Sequence, residues 1–280
     1  MKKIIPFFII AVISSNISLA QNVTDKIVLL KNQKFATSIT TNGSMNLEMM
    51  GQNMETISEA AFTGTLDVKD ITSTGYMLTN TINKTKIKTK GGMAPPVDFD
   101  SDKKEDLNSE MGKSIKEDLQ PKDMEVNFIG KLIHKKDAKN SQEDIAKTMQ
   151  TVMSGTGDNG ITDIFMLIPA GKKEGDVWAD SSDANGIKLN STYSLKKING
   201  SEATVSVNTV SNISKTVNAQ GAEITISMDS KITSENIVDL TTGLVSEKKA
   251  TIEGKGNFGA GGQEMPMTTK VTTVTTVKKM

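Results

Sequence analysis

The sequence predicts a mainly β (α+β) protein, built as a large curved antiparallel sheet or half-barrel that two short amphipathic helices cover. Apolar and polar residues alternate over long stretches, for example in residues 224–229, which is the period of a half-buried strand. Turn dipeptides such as Asn199-Gly200 separate these stretches. Two segments near the middle of the chain have helical spacing instead, and an amphipathic sheet needs such a cover.

The first 20 residues predict a signal peptide. Lys2 and Lys3 form its positive start, residues 4–13 its apolar middle, and Ser18-Leu19-Ala20 its cleavage site. An uncleaved membrane anchor is the alternative, but the apolar run is shorter than the roughly 20 residues that span a bilayer. We therefore expect an exported protein of the periplasm or cell envelope, or a secreted one, that does not span a membrane after cleavage.

Composition excludes several classes of protein. The chain has no cysteine, so it has no disulfide framework and no lipid-acceptor cysteine. Removing Lys2 and Lys3 leaves 31 basic against 33 acidic side chains, a net charge of −2. All the basic residues are lysine, and only one Trp and two Tyr are present. Without arginine or an excess of positive charge, nucleic-acid binding is not expected.

The first section predicts an antiparallel meander of strands. Residues 35–41 are the first predicted strand, and Asn42-Gly43 is its predicted turn. The later strands show alternating apolar positions at Met45, Leu47 and Met49, at Phe62, Leu66 and Val68, and at Tyr76, Leu78 and Ile82.

The middle of the chain predicts two helices. The first has a narrow apolar stripe and ends at Pro121; its stripe residues are Leu107, Met111, Ile115 and Leu119. The second starts at Ser141, with Asp144 completing a capping box, and stops at Gly155. Residues 164–168 form a continuous apolar run, which predicts a strand covered on both sides.

Residues 186–213 predict a two-stranded hairpin that turns at Asn199-Gly200. A weaker copy lies earlier, where Thr65, Lys69 and Ile71 match Thr192, Lys196 and Ile198. Residues 21–280 are therefore expected to form a single domain, with two pseudo-repeated arms (about residues 21–135 and 160–280) around a helical insert as the further possibility. The last run, residues 265–277, is dense in Thr and Val and predicts a final strand.

No residue pattern predicts catalysis. His134 is the only histidine, and no cysteine accompanies it, so neither a catalytic triad nor a zinc site is expected. Asp98, Asp100 and Asp102 alternate and could offer oxygens to calcium, but their spacing fails the EF-hand pattern. A solvated acidic loop before the helix is the favoured interpretation.

Two further patterns are weak signals. Gly254, Gly256 and Gly259 fit G-x-G-x-x-G, but no helix is predicted after them, so a flexible hairpin connection is favoured over a nucleotide site. The methionines at Met49-Met50, Met265 and Met267 could suit copper(I), although core methionines that fill gaps explain them better. No catalytic, cofactor or metal residue is therefore predicted.

Five short segments in order resemble an uncharacterised family of exported β-rich proteins, a domain of unknown function common in Bacteroidetes. They are Met49 to Glu55, Asp98 to Lys103, Ile168-Pro169 with Glu174 to Trp178, Asp239 to Leu244, and Gly261 to Met267. The resemblance implies an envelope location and one extended β domain with inserted helices. It brings no established activity and no site residues.

Two functions follow as hypotheses. The first is a non-enzymatic envelope protein that binds an apolar ligand or acyl chain in the concave face of the sheet. The alternative is a structural or protein-interaction module of the envelope, because the exposed strand faces are rich in Thr, Ser and Lys. An enzyme is not expected, and neither hypothesis requires a cofactor.

Overall fold

The computed structural model describes residues 24–92, 95–133, 162–184, 186–219, 222–260 and 263–280. These residues form one antiparallel sheet of eleven strands. In chain order the elements are β1 (Lys34–Met49), β2 (Gln52–Ile71), β3 (Gly75–Gly91), β4 (Val97–Asp100), α1 (Lys104–Asn108), α2 (Glu110–Asp118), β5 (Lys122–Asn127), a 3-10 helix (Thr162–Ile164), β6 (Val177–Ala184), β7 (Ile187–Asn199), β8 (Glu202–Ala219), β9 (Ala222–Asp239), β10 (Val245–Ala260) and β11 (Gln263–Lys279).

The strands follow one open path, β4-β3-β2-β1-β11-β10-β9-β8-β7-β6, and β5 pairs with β3 beside β4. Strands that follow one another in the chain pair as hairpins, except that β5 pairs with neither β4 nor β6. The pairing of β1 with β11 joins the two series of hairpins. The first and last strands therefore lie side by side in the middle of the sheet. The predicted fold class, a large antiparallel sheet, is confirmed.

The predicted hairpin at residues 186–213 is also confirmed. Asn199 pairs with Glu202, so the loop between β7 and β8 consists of Gly200 and Ser201. Gly200 has a φ of 61°, which suits the first loop position of a type II′ turn. The sequence signal therefore located the turn to within one residue.

The predicted turn at Asn42-Gly43 is wrong. β1 runs through Gly43, which pairs with Ser58 on one side and Val271 on the other. A Cβ on Gly43 would lie 3.1 Å from Val271 Cγ2, so this glycine makes room for a neighbouring side chain. The chain turns instead at Met50-Gly51, where φ is 52° and 76°, the left-handed values of a type I′ loop.

The glycines of the G-x-G-x-x-G pattern form no flexible connection. Gly254, Gly256 and Gly259 lie inside β10 and pair with both β9 and β11. A Cβ on Gly256 would come within 1.9 Å of the Ser227 carbonyl oxygen. Glycine here allows close approach of neighbouring strands, and a strand follows it rather than the helix of a nucleotide fold.

The first predicted helix is two helices. Ser109 separates α1 from α2, and its hydroxyl accepts a hydrogen bond from the Gly112 N–H at 3.0 Å. The same hydroxyl donates to the Asp106 carbonyl oxygen at 2.6 Å, so Ser109 ends one helix and caps the next. α1 contacts β4 at the end of the sheet. The second predicted helix, residues 141–155, lies outside the described residues.

Two irregular segments cover one end of the sheet. The predicted strand at residues 164–168 is a 3-10 turn followed by a single bridge between Phe165 and Leu244. Together with residues 24–33 it packs on the strand ends, where Ile27, Leu29 and Ile164 are buried. A second buried cluster at the same end contains Ile168, Leu195, Ala203, Val205, Val207, Val238, Leu240 and Val245.

The weak sequence copy coincides with matching backbone geometry. Lys69 in β2 and Lys196 in β7 are each the extra residue of a β-bulge. The residue before each bulge, Val68 or Leu195, exchanges two hydrogen bonds with the chain just before β1 or β6. The same combination of a β-bulge and two backbone hydrogen bonds therefore occurs in both halves of the sheet. The organisation into two pseudo-repeated arms stays a prediction.

Candidate functional site: the apolar end of the sheet

An apolar row crosses the end of the sheet that lies away from the two irregular segments. Directly paired residues in an antiparallel sheet point to the same face, so the row can be followed from strand to strand. It links Met54 of β2, Leu47 of β1, Met267 of β11, Gly256 of β10, Met228 of β9, Ile213 of β8 and Ile187 of β7. None of these side chains is titratable.

The row is the centre of a larger group, which we call the methionine cluster. Its buried members are Ile213, Ile226, Met228 and Met267, and its partly buried members are Met45, Leu47, Ile187, Ile224 and Phe258. Met228 and Met267 are 1% and 2% exposed. The cluster therefore has a dry centre with a partly accessible margin.

Glycine shapes the methionine cluster. A Cβ on Gly254 would lie 2.8 Å from Met228 Sδ and 2.9 Å from Thr269 Cγ2. The missing side chain therefore leaves space that the thioether of Met228 occupies. Because methionine is unbranched and polarizable, it adapts to irregular spaces of this kind.

A polar band on the same face separates the methionine cluster from the covered end. Lys248 Nζ lies 2.6 Å from Asp163 Oδ2, and both side chains are largely shielded from solvent. Lys248 faces Asn236 across the strands. Asn236 is 1% exposed and donates to the Val205 carbonyl oxygen and to Ser234 Oγ. Its Oδ1 has no hydrogen-bond partner in the described part of the chain.

The only tryptophan lies near the polar band. Trp178 stacks on Tyr193 with 5.3 Å between ring centroids and 5° between ring planes. Lys172 Nζ lies 5.8 Å from the Trp178 ring centroid. Burial raises the pKa of Tyr193, and the carboxylates of Asp180 and Asp163 raise this pKa further. The stacked pair is part of the packed end of the sheet.

The alternating aspartates pair with lysines. Asp100 lies 2.9 Å from Lys86, Asp98 lies 3.6 Å from Lys88, and Asp102 pairs with Lys84. The hydrogen bond from Lys86 holds the pKa of Asp100 below its usual value of 3.8. The predicted acidic loop is therefore wrong in part: Asp98 and Asp100 belong to strand β4, and each of the three aspartates pairs with a lysine.

The other residues singled out in the sequence do not converge. Met265 and Met267 are buried on the apolar face, whereas Met50 is 85% exposed at the β1–β2 turn. His134 lies outside the described residues. Within the described ranges, no group of three or more His, Cys, Asp or Glu residues could hold a metal ion.

Sequence reasoning missed the methionine cluster as a unit. The alternation of Met45 with Leu47, and of Ile226 with Met228, was visible as strand periodicity. Which strands stand side by side was not visible, because β1 joins β11 across more than 200 residues. No sequence pattern indicated the buried Asn236 or the half-buried Lys248, because a polar residue on an apolar face interrupts the alternation that predicts a strand.

Residues 123–245 match a family of unknown function, DUF6263. This match confirms the resemblance to an uncharacterised domain over those residues. The matched segment runs from β5 to the start of β10. No curated protein matches the chain.

Solved structures show a likeness of fold. Lipovitellin, studied for its lipid–protein interactions, has a TM-score of 0.54 at 8% identity over 90% of this chain. The chain spans about a quarter of the length of the lipovitellin chain. An outer membrane channel from Pseudomonas putida F1 matches 91% of this chain and 98% of its own at 6% identity, with a TM-score of 0.22. None of the described helices is long and apolar enough to cross a membrane.

Proposed function

We propose that this protein is a non-enzymatic component of the cell envelope that holds an apolar ligand, such as an acyl chain, against the methionine cluster. The observation that carries the proposal is the apolar row across seven strands with a partly accessible margin. Accessible apolar surface often marks a binding site, and the partly buried side chains around the dry centre provide such surface. The signal peptide predicted for residues 1–20 supports the envelope location.

The chemistry of the row fits a flexible hydrocarbon. Burying one methylene group contributes about 0.8 kcal/mol, so binding strength would grow with chain length. Methionine side chains can repack around acyl chains of different shape. The resemblance in fold to lipovitellin, a protein studied for its lipid–protein interactions, supports this class of ligand.

The first experiment asks whether the purified protein carries a lipid. The protein is expressed with its full chain, purified without detergent and extracted with organic solvent, and the extract is examined by mass spectrometry. Copurified lipid in stoichiometric amount is expected. A clean extract, together with no response to a fluorescent fatty-acid probe, would overturn the proposal.

The second experiment locates the ligand. Leu47→Gln places a polar amide at the margin of the methionine cluster, and we expect it to weaken binding of the fluorescent fatty-acid probe by about tenfold. Thr40→Gln is the matched control, because Thr40 is an exposed position on the opposite face of the same strand. Equal affinity of the two variants would exclude the methionine cluster as the site. Urea unfolding of both variants checks that the sheet is intact.

A further inference from the structure

The polar face of the sheet carries a groove of about 640 Å³, directly behind the methionine cluster. Its volume falls within the range of small-molecule sites. The groove is lined by Ser44, Asn46, Val210, Asp229, Ser230, Lys231, Glu253, Gly254, Lys255, Thr268, Thr269 and Lys270. We call it the polar channel.

The polar channel runs across the strands, between two rows of side chains. One row is Ser44, Lys270, Glu253, Lys231 and Val210, and the other is Asn46, Thr268, Lys255 and Asp229. Between the rows, Thr269 and Ser230 point their side chains to the opposite face and Gly254 has no side chain, so backbone forms the floor. Five strands at roughly 4.8 Å spacing make the channel about 19 Å long, which suits an elongated ligand.

Hydrogen-bond donors and acceptors alternate along the walls. Lys270 Nζ lies 2.9 Å from Glu253 Oε1, and Asn212 donates to Asp229 Oδ1 at 2.7 Å. The hydrogen bond from Lys270 lowers the pKa of Glu253, and the charge of Lys231 lowers this pKa further. Glu253 therefore stays ionised, and the three lysines and two carboxylates of the channel nearly balance.

We propose that the polar channel binds a linear, neutral oligosaccharide. Each sugar hydroxyl both donates and accepts hydrogen bonds, so it can satisfy a wall that alternates ammonium and carboxylate groups. A polyanion would meet the ionised Glu253 and Asp229, and an acyl chain would leave these charges unsolvated. The methylene stems of the lysines offer apolar surface to the C–H faces of the sugar rings. This site is separate from the one proposed for the apolar ligand.

The test uses the full chain labelled with ¹⁵N and titrated with cellotetraose, followed by NMR. We expect saturable shifts in amides around Gly254 on β8 to β11, with a dissociation constant below about 1 mM. Glucose, which spans a small part of the channel, should bind at least tenfold more weakly. A tetragalacturonate of equal length tests the alternative of an anionic polymer.

A matched pair of double variants locates the site. Glu253→Gln with Lys255→Ala removes one group from each wall, and we expect a loss of cellotetraose affinity of about tenfold or more. Glu247→Gln with Lys249→Ala is the control, because this ion pair (2.6 Å) lies on the same strand and face outside the channel. Its affinity should equal that of the wild type.

Three results would overturn the proposal. They are the absence of saturable binding of cellotetraose, tighter binding of the tetragalacturonate than of cellotetraose, and equal losses in the two double variants. The replaced side chains are exposed at Lys249, Glu253 and Lys255 and half-exposed at Glu247, and urea unfolding establishes that the sheet remains folded.

Discussion

At the scale of single residues, Met50 stands out because its backbone and its side chain are both in unfavourable environments. It has a φ of 52° at the first position of the β1–β2 loop and is 85% exposed. Residues with a Cβ lose roughly 1–2 kcal/mol in the left-handed region, and Asn tolerates it better. The turn therefore costs stability that a different residue would restore.

We expect Met50→Asn to raise the free energy of unfolding by about 1 kcal/mol. Urea denaturation monitored by Trp178 fluorescence measures it. Met54→Asn, a few residues further along, serves as the control and should destabilise, because Met54 lies in the apolar row. A stability unchanged or lowered by Met50→Asn would contradict this account of the turn.

Tyr76 ties the N-terminal segment to the sheet through a buried hydroxyl. This hydroxyl donates to the Ile27 carbonyl oxygen at 2.7 Å and accepts from the Leu29 N–H at 3.3 Å. Tyr76→Phe leaves both backbone groups buried without a partner, which should lower the free energy of unfolding by about 1–3 kcal/mol. Denaturant unfolding gives the value, and Tyr193→Phe, at a less buried position, should cost less. Equal costs would contradict the prediction.

At the scale of elements, the attachment of β4 to the sheet depends on ion pairs, because the strand is short. It has four residues and pairs with β3 at Lys86 and Lys88 through the opposed Asp100 and Asp98. A short edge strand has few ladder hydrogen bonds, so cross-strand ion pairs matter more for it than for the long central strands.

Acid should therefore release β4 before the rest of the sheet. The pKa of Asp100 is lowered by its hydrogen bond from Lys86, so its contribution is present above the ordinary value of 3.8 and is lost as the pH falls through the lowered pKa. Hydrogen-exchange protection of the β4 amides, compared between about pH 6 and about pH 2.5, should fall while β9 stays protected.

Asp100→Asn is the control for the acid response, because it removes the titrating group and keeps the shape. It should weaken β4 at neutral pH and reduce the further loss on acidification. A full acid response in Asp100→Asn would show that another group controls β4.

The elements also show what sequence reasoning can reach. Strict alternation of apolar and polar residues located β9, and a high density of Thr and Val located β11. The glycines at Gly43 and in β10 led to wrong predictions of a turn and a loop. In the sequence, a glycine that makes room for a neighbouring side chain or strand looks the same as a glycine in a turn. The sequence predicts one helix where the structure has two, because the helical spacing of apolar residues continues on both sides of Ser109, whose hydroxyl caps α2. The methionine cluster needed the strand order, which depends on contacts between distant residues.

At the scale of the whole molecule, β11 holds the sheet together. It pairs with β1 on one side and with β10 on the other, so the strands β2 to β5 are joined to β6 to β10 through it. Its alternating side chains, such as Met267, Val271 and Val277, are buried. The stability of both halves therefore depends on the last strand.

Removal of residues 263–280 should abolish cooperative unfolding of the sheet. The truncated chain would expose two long unpaired edges, at β1 and β10, which favour aggregation. Circular dichroism melting and size-exclusion chromatography provide the measurements, and removal of Met280 alone is the control. A monomeric truncated chain that still melts in a single transition would show that the two halves are joined by other contacts.

The pairing of β1 with β11 also sets an order of events during synthesis. The ribosome makes β1 before the other ten strands and β11 after them, so one edge of β1 has no partner strand while β2 to β10 are produced. Contacts between residues so far apart in sequence form slowly and leave strand edges exposed to other molecules in the meantime. The incomplete chain is therefore prone to aggregation until β11 pairs with β1. A chaperone that shields strand edges during this time would improve the yield of native protein.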